Sequence, residues 1–215
     1  ATFASTTPIF YPVDATQKVD FIAYHPYDNS VSNYVYPVDV TNQSNQSAID
    51  LMRAFVDNNS QGYDKTNGPN FINLVFDHKL TKVIINTTPD TNNGLTTADL
   101  AGMTVTIKGL NTKAAYNIGT NLLGAPNTIA PIAAKTTTAG TLYEAIVVPQ
   151  TTSNVTVEFA LNNAKNEVFI YNMPATTFAT AEKHIFNVTV QRTGVQVRGT
   201  INTWIPVGDV NGTAK

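Results

Sequence analysis

The chain has 215 residues, with 13 basic and 15 acidic side chains and a formal net charge of -2. Charged residues make up 13% of it, and no Lys/Arg stripe is present that would neutralise a row of phosphates. Nucleic acid is therefore not an expected partner. The absence of cysteine excludes disulfides and thiolate metal sites. Apolar runs such as residues 145–148 are far shorter than the ~20 residues that cross a bilayer, so we predict a chain that does not span a membrane.

The N-terminal part combines an aromatic stretch with a turn-rich loop. Residues 46–55 carry a periodicity that fits either a short helix or an extended segment, and both interpretations stay open. Residues 57–70 are polar, rich in turn-forming residues and without an apolar period, which indicates a linker. We therefore predict an N-terminal β-sandwich domain at residues 1–69 and a C-terminal β-sandwich domain at residues 70–215.

Alternation of apolar and polar residues predicts strands along the rest of the chain. In the first of them Leu74, Phe76, His78 and Leu80 share one face. Further predicted strands cover residues 103–107, 116–118, 142–148, 155–161, 167–171, 184–191, 195–201 and 203–207. The short connection at residues 109–112 predicts a hairpin between the first two of these. Strands recurring at roughly ten-residue intervals favour an all-β sandwich over βαβ units.

Two other segments carry local signals. Residues 97–102 predict a single helical turn, capped by Thr97 and ended by Gly102. Residues 119–140 contain Pro126, Pro131 and a run of threonine, and we expect this loop to cross a face or an edge of the sandwich.

No residue pattern indicates catalysis, a cofactor or a metal. His78 alternates with apolar residues, and a lone inward histidine in a strand is most often a core residue. His25 and His184 form no His-x-His or His-x-x-x-His pair with it, and His184 is expected just before a strand. We predict no catalytic, cofactor-binding or metal residues.

An aromatic cluster near the N-terminus has two interpretations. Its rings either cover one sheet of the first domain, which we favour, or form a surface on which carbohydrate stacks. The cluster consists of Phe10, Tyr11, Phe21, Tyr24, Tyr27, Tyr34 and Tyr36.

Four segments, taken in chain order, match a known sequence pattern. They are Phe10-Tyr11-Pro12 followed by residues 19–27, residues 45–54, residues 74–82, and the closing Phe178, residues 184–186 and residues 201–204. Each fragment is weak alone, but together they cover most of the chain, and in this order they resemble the fimbrillin-like family of Bacteroidales.

The resemblance implies a function as well as a fold. It implies transthyretin-like antiparallel β-sandwiches, a lipoprotein precursor exported through the outer membrane, and a structural or tip subunit of a cell-surface fimbria. It also implies that maturation removes an N-terminal strand. This chain starts at Ala1, just ahead of the first matching segment and without a leader. We therefore expect a processed or truncated product whose first domain lacks upstream strands.

The expected partners are other fimbrial subunits, joined by β-strand addition. The C-terminal segment alternates, and Pro206 places it at an edge or outside the domain. As a hypothesis, Ile201, Thr203, Trp204, Ile205 and Val207 contribute to the inter-subunit strand; the alternative is that they form the last edge strand of their own domain. Other functional hypotheses are an adhesin that binds host glycan or protein without polymerising and, third, a secreted β-sandwich enzyme.

Overall fold

The computed structural model of the chain describes residues 7, 9–14, 16–192 and 194–203, the last segment for its backbone. Strands dominate it, in agreement with the predicted all-β class. The first nine are β1 (Phe21–His25), β2 (Val35–Asp39), β3 (Met52–Val56), β4 (Asp77–His78), β5 (Thr81–Pro89), β6 (Thr104–Lys108), β7 (Asn111–Asn117), β8 (Leu122–Leu123) and β9 (Asn127–Ile129).

Strands continue through the rest of the described chain. The later strands are β10 (Ile132–Ala133), β11 (Lys135–Thr138), β12 (Leu142–Val147), β13 (Gln150–Thr152), β14 (Thr156–Ala160), β15 (Val168–Asn172), β16 (Thr176–Phe178), β17 (Glu182–Gln191) and β18 (Gly194–Thr203). Helical structure in the described residues is limited to α1 (Thr97–Leu100) and two short 3₁₀ turns, Gln46–Ala48 and Thr91–Asn93.

The strands form two main sheets and three others. A five-stranded sheet has the order β11-β12-β5-β17-β18, and a four-stranded sheet has the order β10-β6-β14-β15. The others are a second four-stranded sheet, β2-β7-β8 with β9 also on β7, the three-stranded sheet β1-β3-β4, and the pair β13-β16. Among the described strands, neighbours are antiparallel except for the central pair β5 and β17, which run parallel.

Alternation places one face of each main sheet in a shared hydrophobic core. Val83 and Ile85 of β5 and Phe186 of β17 are buried together with Val105 of β6 and Phe159 of β14. Fully burying a side chain of this kind contributes about 1.5–3 kcal/mol. The hydroxyl of Tyr143 on β12 donates to the carbonyl of Met103, 3.1 Å away, which links the five-stranded sheet to the start of β6.

The parts on either side of residue 69 are joined by strand pairing. β2 pairs with β7 from Val35 opposite Asn117 to Asp39 opposite Lys113, and β3 pairs with β4. Tyr36 and Val38 of β2 belong to the same core as the main sheets. The two-domain division, the transthyretin-like topology and the missing upstream strands stay predictions.

The predicted hairpin between residues 103–107 and 116–118 is wrong. β6 pairs with β10 and β14, whereas β7 pairs with β2, β8 and β9. The chain changes sheets at Gly109, which has a φ of 94° and comes so close to the backbone of Asn154 that a Cβ would lie 2.4 Å from its carbonyl oxygen. Leu110 is fully buried at this crossing. A short connection therefore marks a change of sheet here.

The predicted strand from Leu74 is wrong in its first half. Leu74 and Val75 lie outside any strand, and regular pairing begins with the two-residue β4 and continues in β5. Leu74, the first residue of the predicted apolar face, is 36% exposed, so this face is incompletely covered where the predicted strand begins.

The three remaining local predictions agree more closely with the structure. The single helical turn is confirmed as α1, although its cap is Thr96, one residue earlier, in a reciprocal capping box with Asp99. Residues 46–55 contain both predicted alternatives in succession, a 3₁₀ turn followed by β3. Residues 119–140 supply the short strands β8 to β11, which lie at sheet edges as expected.

Two glutamine side chains take the place of strand residues where pairing stops. Beyond the end of β11, the buried Gln43 accepts from the Ile146 N–H at 2.8 Å and donates to the Ile146 carbonyl at 2.9 Å. In the same way Gln150 accepts from the Asn111 N–H at 3.0 Å and donates to the Asn111 carbonyl at 2.9 Å. A primary amide has the donor and the acceptor of a peptide group, so each glutamine completes a sheet edge.

Replacing Gln43 by alanine is expected to lower the free energy of unfolding by about 2–4 kcal/mol, since the Ile146 N–H and carbonyl lose their partner and each buried unsatisfied group costs about 1–3 kcal/mol. Urea denaturation measures this. Gln46→Ala is the matched control, because the Gln46 side chain donates to the Gln43 side chain at 3.2 Å and to no backbone group of the described residues. Equal effects of the two substitutions would contradict the conclusion that the Gln43 side chain completes the sheet edge at Ile146.

Candidate assembly edge

β18 is the outermost strand of the five-stranded sheet and its longest edge. It pairs with β17 over all ten residues, from Gly194 opposite Gln191 to Thr203 opposite Glu182. Within the described part of the chain, no strand pairs with its other side. An unpaired edge presents a row of backbone N–H and C=O groups that another strand can bind.

The structure locates two of the five residues predicted to take part in polymerisation. Ile201 and Thr203 lie on β18, opposite His184 and Glu182. Trp204, Ile205 and Val207 lie outside the described residues. The alternative interpretation, a last edge strand, describes the position of β18, while the role of the five residues in polymerisation stays a prediction.

The other edges of the larger sheets are shorter or interrupted. β2 contains Pro37, which has no N–H to offer an added strand. β11 has four residues, all exposed, and a register shift between Thr136 and Thr138. β10 has two residues and β15 has five. Irregular or short edges resist the addition of a strand, so β18 is the edge best suited to accept one.

The small sheet β1-β3-β4 has a second open edge, at β1. On one face of this sheet Ile22 and Phe55 lie directly opposite each other and are 38% and 43% exposed. Arg53 follows on the same face, with its guanidinium 4.9 Å from the centre of the Phe55 ring. At this edge an additional strand would find both unpaired backbone and exposed apolar side chains.

His184 supports the β17 side of the terminal hairpin, which is the pair of β17 and β18. It lies within β17, which confirms the strand predicted at residues 184–191 and places this histidine inside that strand and not before it. The side chain is fully buried, with its ring 4.9 Å from that of Phe178. Its Nε2 lies 2.9 Å from a carboxylate oxygen of Glu182, while the buried Nδ1 has no hydrogen-bond partner among the described residues. Burial lowers the pKa of His184, and Glu182 opposes this effect. The spacing of Glu182 and His184, two residues apart on one strand face, is a signal that the sequence analysis missed.

This burial predicts that acid weakens the protein through His184. Because its folded-state pKa lies below the ordinary value of 6.5, the unfolded chain binds more protons as the pH falls below that value, and the free energy of unfolding decreases. The urea concentration at the midpoint of unfolding is expected to decrease as the pH is lowered from 7.5 to 5.

In His184→Leu this pH dependence is expected to shrink, because the substituted side chain does not titrate. His25→Gln, which changes an exposed histidine, is expected to keep the full dependence. An unchanged pH dependence in His184→Leu would contradict the assignment.

His78 has a partner that the sequence did not reveal. Its Nδ1 lies 2.8 Å from an oxygen of Asp50, and its side chain is 31% exposed rather than enclosed in an apolar face. Asp50, His78 and Thr81 line a cavity of about 30 Å³, which is the space of a water molecule rather than of a substrate. The Thr81 hydroxyl donates to the carbonyl of Ala179 at 2.6 Å. Across the described ranges, no group of three or more His, Asp or Glu side chains is placed to hold a metal ion.

The aromatic cluster divides into packed and exposed members. Tyr24 and Tyr36 make an edge contact at 5.9 Å, and Phe21 makes edge contacts with Tyr11 and with Tyr63. These contacts are those of rings that cover a sheet. Phe10, Tyr27 and Tyr34 are instead exposed.

Comparison with known proteins identifies the family. The family described as Fimbrillin-like matches residues 1–204. The chain belongs to the fimbrillin-like family. The resemblance stated from the sequence is thereby confirmed, and all four matching segments lie within or at the end of this range.

Individual relatives agree with this membership. A candidate fimbrium subunit of Bacteroides uniformis, Fim1C, is 34% identical over 214 residues, a match that covers 95% of this chain and 67% of that protein. The crystal structure of a candidate cell adhesion protein from the same species is similar with a TM-score of 0.79 and 33% identity, over 95% of this chain and 79% of that one.

A second solved structure extends the likeness in fold. A candidate cell adhesion protein from Bacteroides ovatus gives a TM-score of 0.67 at 21% identity, covering 95% of this chain and 74% of that one. None of the helices in the described residues of this fimbrillin-like chain is long and apolar enough to cross a membrane.

Proposed function

We propose that this fimbrillin-like chain is a subunit of a cell-surface fimbria and that neighbouring subunits join by β-strand addition at the terminal hairpin. Family membership supports the fimbrial role. The observation that carries the mode of assembly is the side of β18 with which no described strand pairs, a ten-residue edge that is longer than the other sheet edges. An added strand gains a row of backbone hydrogen bonds, and its alternating side chains provide specificity.

The proposal assigns the C-terminal segment to the same contact. β18 ends at Thr203 in the described backbone, and Trp204, Ile205 and Val207 continue the alternation in the sequence. In this proposal the segment lies along the neighbouring subunit, so that the partner of each chain is another fimbrial subunit. The role is structural and non-enzymatic, in keeping with the family, and the location is the cell surface.

Adhesion is the second part of the proposed role. A subunit built into a fimbria presents the outer faces of its sheets to its surroundings, while its edges bind its neighbours. Its outer faces are thus free to contact host glycans or proteins.

Photo-crosslinking tests the edge. A photoreactive phenylalanine analogue at Thr200, on β18, is expected to crosslink adjacent subunits in assembled fimbriae. The same analogue at Thr137, on the opposite edge strand β11 of the same sheet, is the matched control and is expected to give monomers. Equal crosslinking at both positions, or none at Thr200, would contradict addition at β18.

Truncation tests the C-terminal segment. Deleting residues 206–215 is expected to abolish SDS-resistant ladders of the assembled subunit, because the strand that reaches the neighbour is shortened. Far-ultraviolet circular dichroism checks that the truncated chain still folds. A folded truncated chain that polymerises normally would remove the C-terminal segment from the mechanism.

A further inference from the structure

A lysine and an aspartate lie in direct contact just before β1. Lys18 donates from Nζ to the Oδ2 of Asp64, 46 residues further along the chain. The two residues flank an antiparallel bridge between Val19 and Tyr63. In this bridge the Val19 N–H donates to the Tyr63 carbonyl at 2.9 Å, and the Tyr63 N–H donates to the Val19 carbonyl at 2.8 Å. The backbone therefore holds the amine and the carboxyl group side by side.

Packing also holds the lysine stem against the loop at residues 57–70. Gly62, in this loop, has a φ of 67° and lies so close to Lys18 that a Cβ on the glycine would be 2.7 Å from the lysine Cβ. The same Cβ would lie 3.6 Å from the Oδ1 of Asp20. Lys18 and Asp20 are two residues apart in an extended segment and so project to the same side. A second carboxylate is thus available beside the pair.

The carboxyl group of Asp64 is buried, and donors surround its other oxygen. The Asp64 side chain is 3% exposed. Its Oδ1 accepts from the Thr66 N–H at 2.7 Å, from the Thr66 hydroxyl at 2.6 Å and from the Asn67 N–H at 3.0 Å. Donors fixed around one oxygen are the arrangement that stabilises the oxyanion formed in acyl transfer. If an amine attacks this carboxyl carbon, the negative charge develops on Oδ1, where these donors point.

A second ion pair shows what sets this one apart. Lys113 lies 3.0 Å from the Oδ2 of Asp39, and the Oδ1 of Asp39 accepts from the N–H and the hydroxyl of Thr41. The Asp39 side chain is 44% exposed, however, and its Oδ1 has no third donor among the described residues. Water solvates such a carboxylate, so we expect this pair to stay ionic. Burial and a third donor distinguish Asp64.

We propose that Lys18 and Asp64 form an intramolecular amide bond, an isopeptide crosslink between Nζ and Cγ. The contact with Lys18 holds the pKa of Asp64 well below its ordinary value, so the reaction starts from an ion pair. Groups held in a reactive geometry reach effective molarities of about 10⁵–10⁸ M, which is what an unactivated carboxyl group needs in order to react.

The condensation balances within the pair. Nζ first passes a proton to Oδ2, and the neutral amine then attacks Cγ, which forms the N–C bond and places the negative charge on Oδ1. A second proton moves from the nitrogen to Oδ2 through the carboxylate of Asp20. The bond between Cγ and Oδ2 breaks, the carbonyl reforms at Oδ1, and one water molecule leaves. The Lys18 side chain is 43% exposed, which gives this water a path to solvent.

The crosslink closes a loop that contains β1, β2 and β3. The chain has no cysteine, so a disulfide cannot join these segments. A covalent link between the segment before β1 and the loop at residues 57–70 restricts the unfolded chain and survives when the hydrogen bonds of the bridge break. This inference goes beyond the proposed function and is independent of the β18 edge.

Intact-mass spectrometry of the folded subunit tests the bond. The mass is expected to be lower than that of the unmodified sequence by one water molecule, and a digest of the denatured protein is expected to contain a branched peptide that joins Lys18 to Asp64. Lys18→Arg, which keeps the ion pair but has no primary amine, and Asp64→Ala are expected to have their full sequence masses. Lys113→Arg is the matched control and is expected to keep the loss of water.

The outcomes decide the proposal. An unmodified mass for the folded wild-type subunit would overturn it. A loss of water that persists in Lys18→Arg would overturn it as well, because the water would then come from elsewhere in the chain.

A second measurement does not depend on mass. A protease site inserted after Asn59, an exposed residue inside the closed loop, is expected to yield fragments that stay joined in a denaturing gel after cleavage. With Lys18→Arg added, the fragments are expected to separate. Separation in the chain that retains Lys18 would contradict the crosslink.

Discussion

Strand edges expose backbone N–H and C=O groups that must find partners, and this constraint shapes the protein more than any single core contact. Where a strand stops short inside the fold, side chains complete the edge: Gln43 binds the Ile146 peptide and Gln150 binds the Asn111 peptide. Arg53 similarly binds the carbonyls at the end of β7. At β18 the described structure provides no such partner over ten residues. The contrast between completed and open edges is the physical basis for proposing β18 as the assembly site.

Edges and outer faces can then serve different purposes. The parallel pair β5 and β17 forms the middle of the largest sheet, and the inner faces of the two main sheets are occupied by the core. The unpaired backbone of β18 and the outer faces of the sheets remain for contacts outside the molecule. In the proposed assembly, backbone hydrogen bonds join neighbouring subunits, whereas adhesion would use side chains on the outer faces. Because these contacts use different groups, substitutions can separate them.

Periodicity was sufficient to predict the position of many strands. It could not predict the contacts between residues that are distant in the sequence. Alternation located β12, β14, β15 and β17 to within about two residues, because each buries one face. It failed at Leu74 and Val75, where the predicted apolar face is incompletely covered, and at Gly109, where a short connection changes sheets. The partners of His78 and Gln43 are brought near by the fold from 28 and 103 residues away, so sequence spacing could not show them. The Glu182–His184 pair was visible in the spacing and was overlooked.

Hydrogen exchange of the β18 amides, compared between the monomeric subunit and assembled fimbriae, tests the central claim most directly. The account predicts that β18 amides without a partner in β17 exchange rapidly in the monomer and become protected on assembly. Amides on the exposed side of β11, an edge of the same sheet, are predicted to exchange equally in both states. Unchanged exchange along β18, or new protection at β11 instead, would contradict assembly by strand addition at this edge.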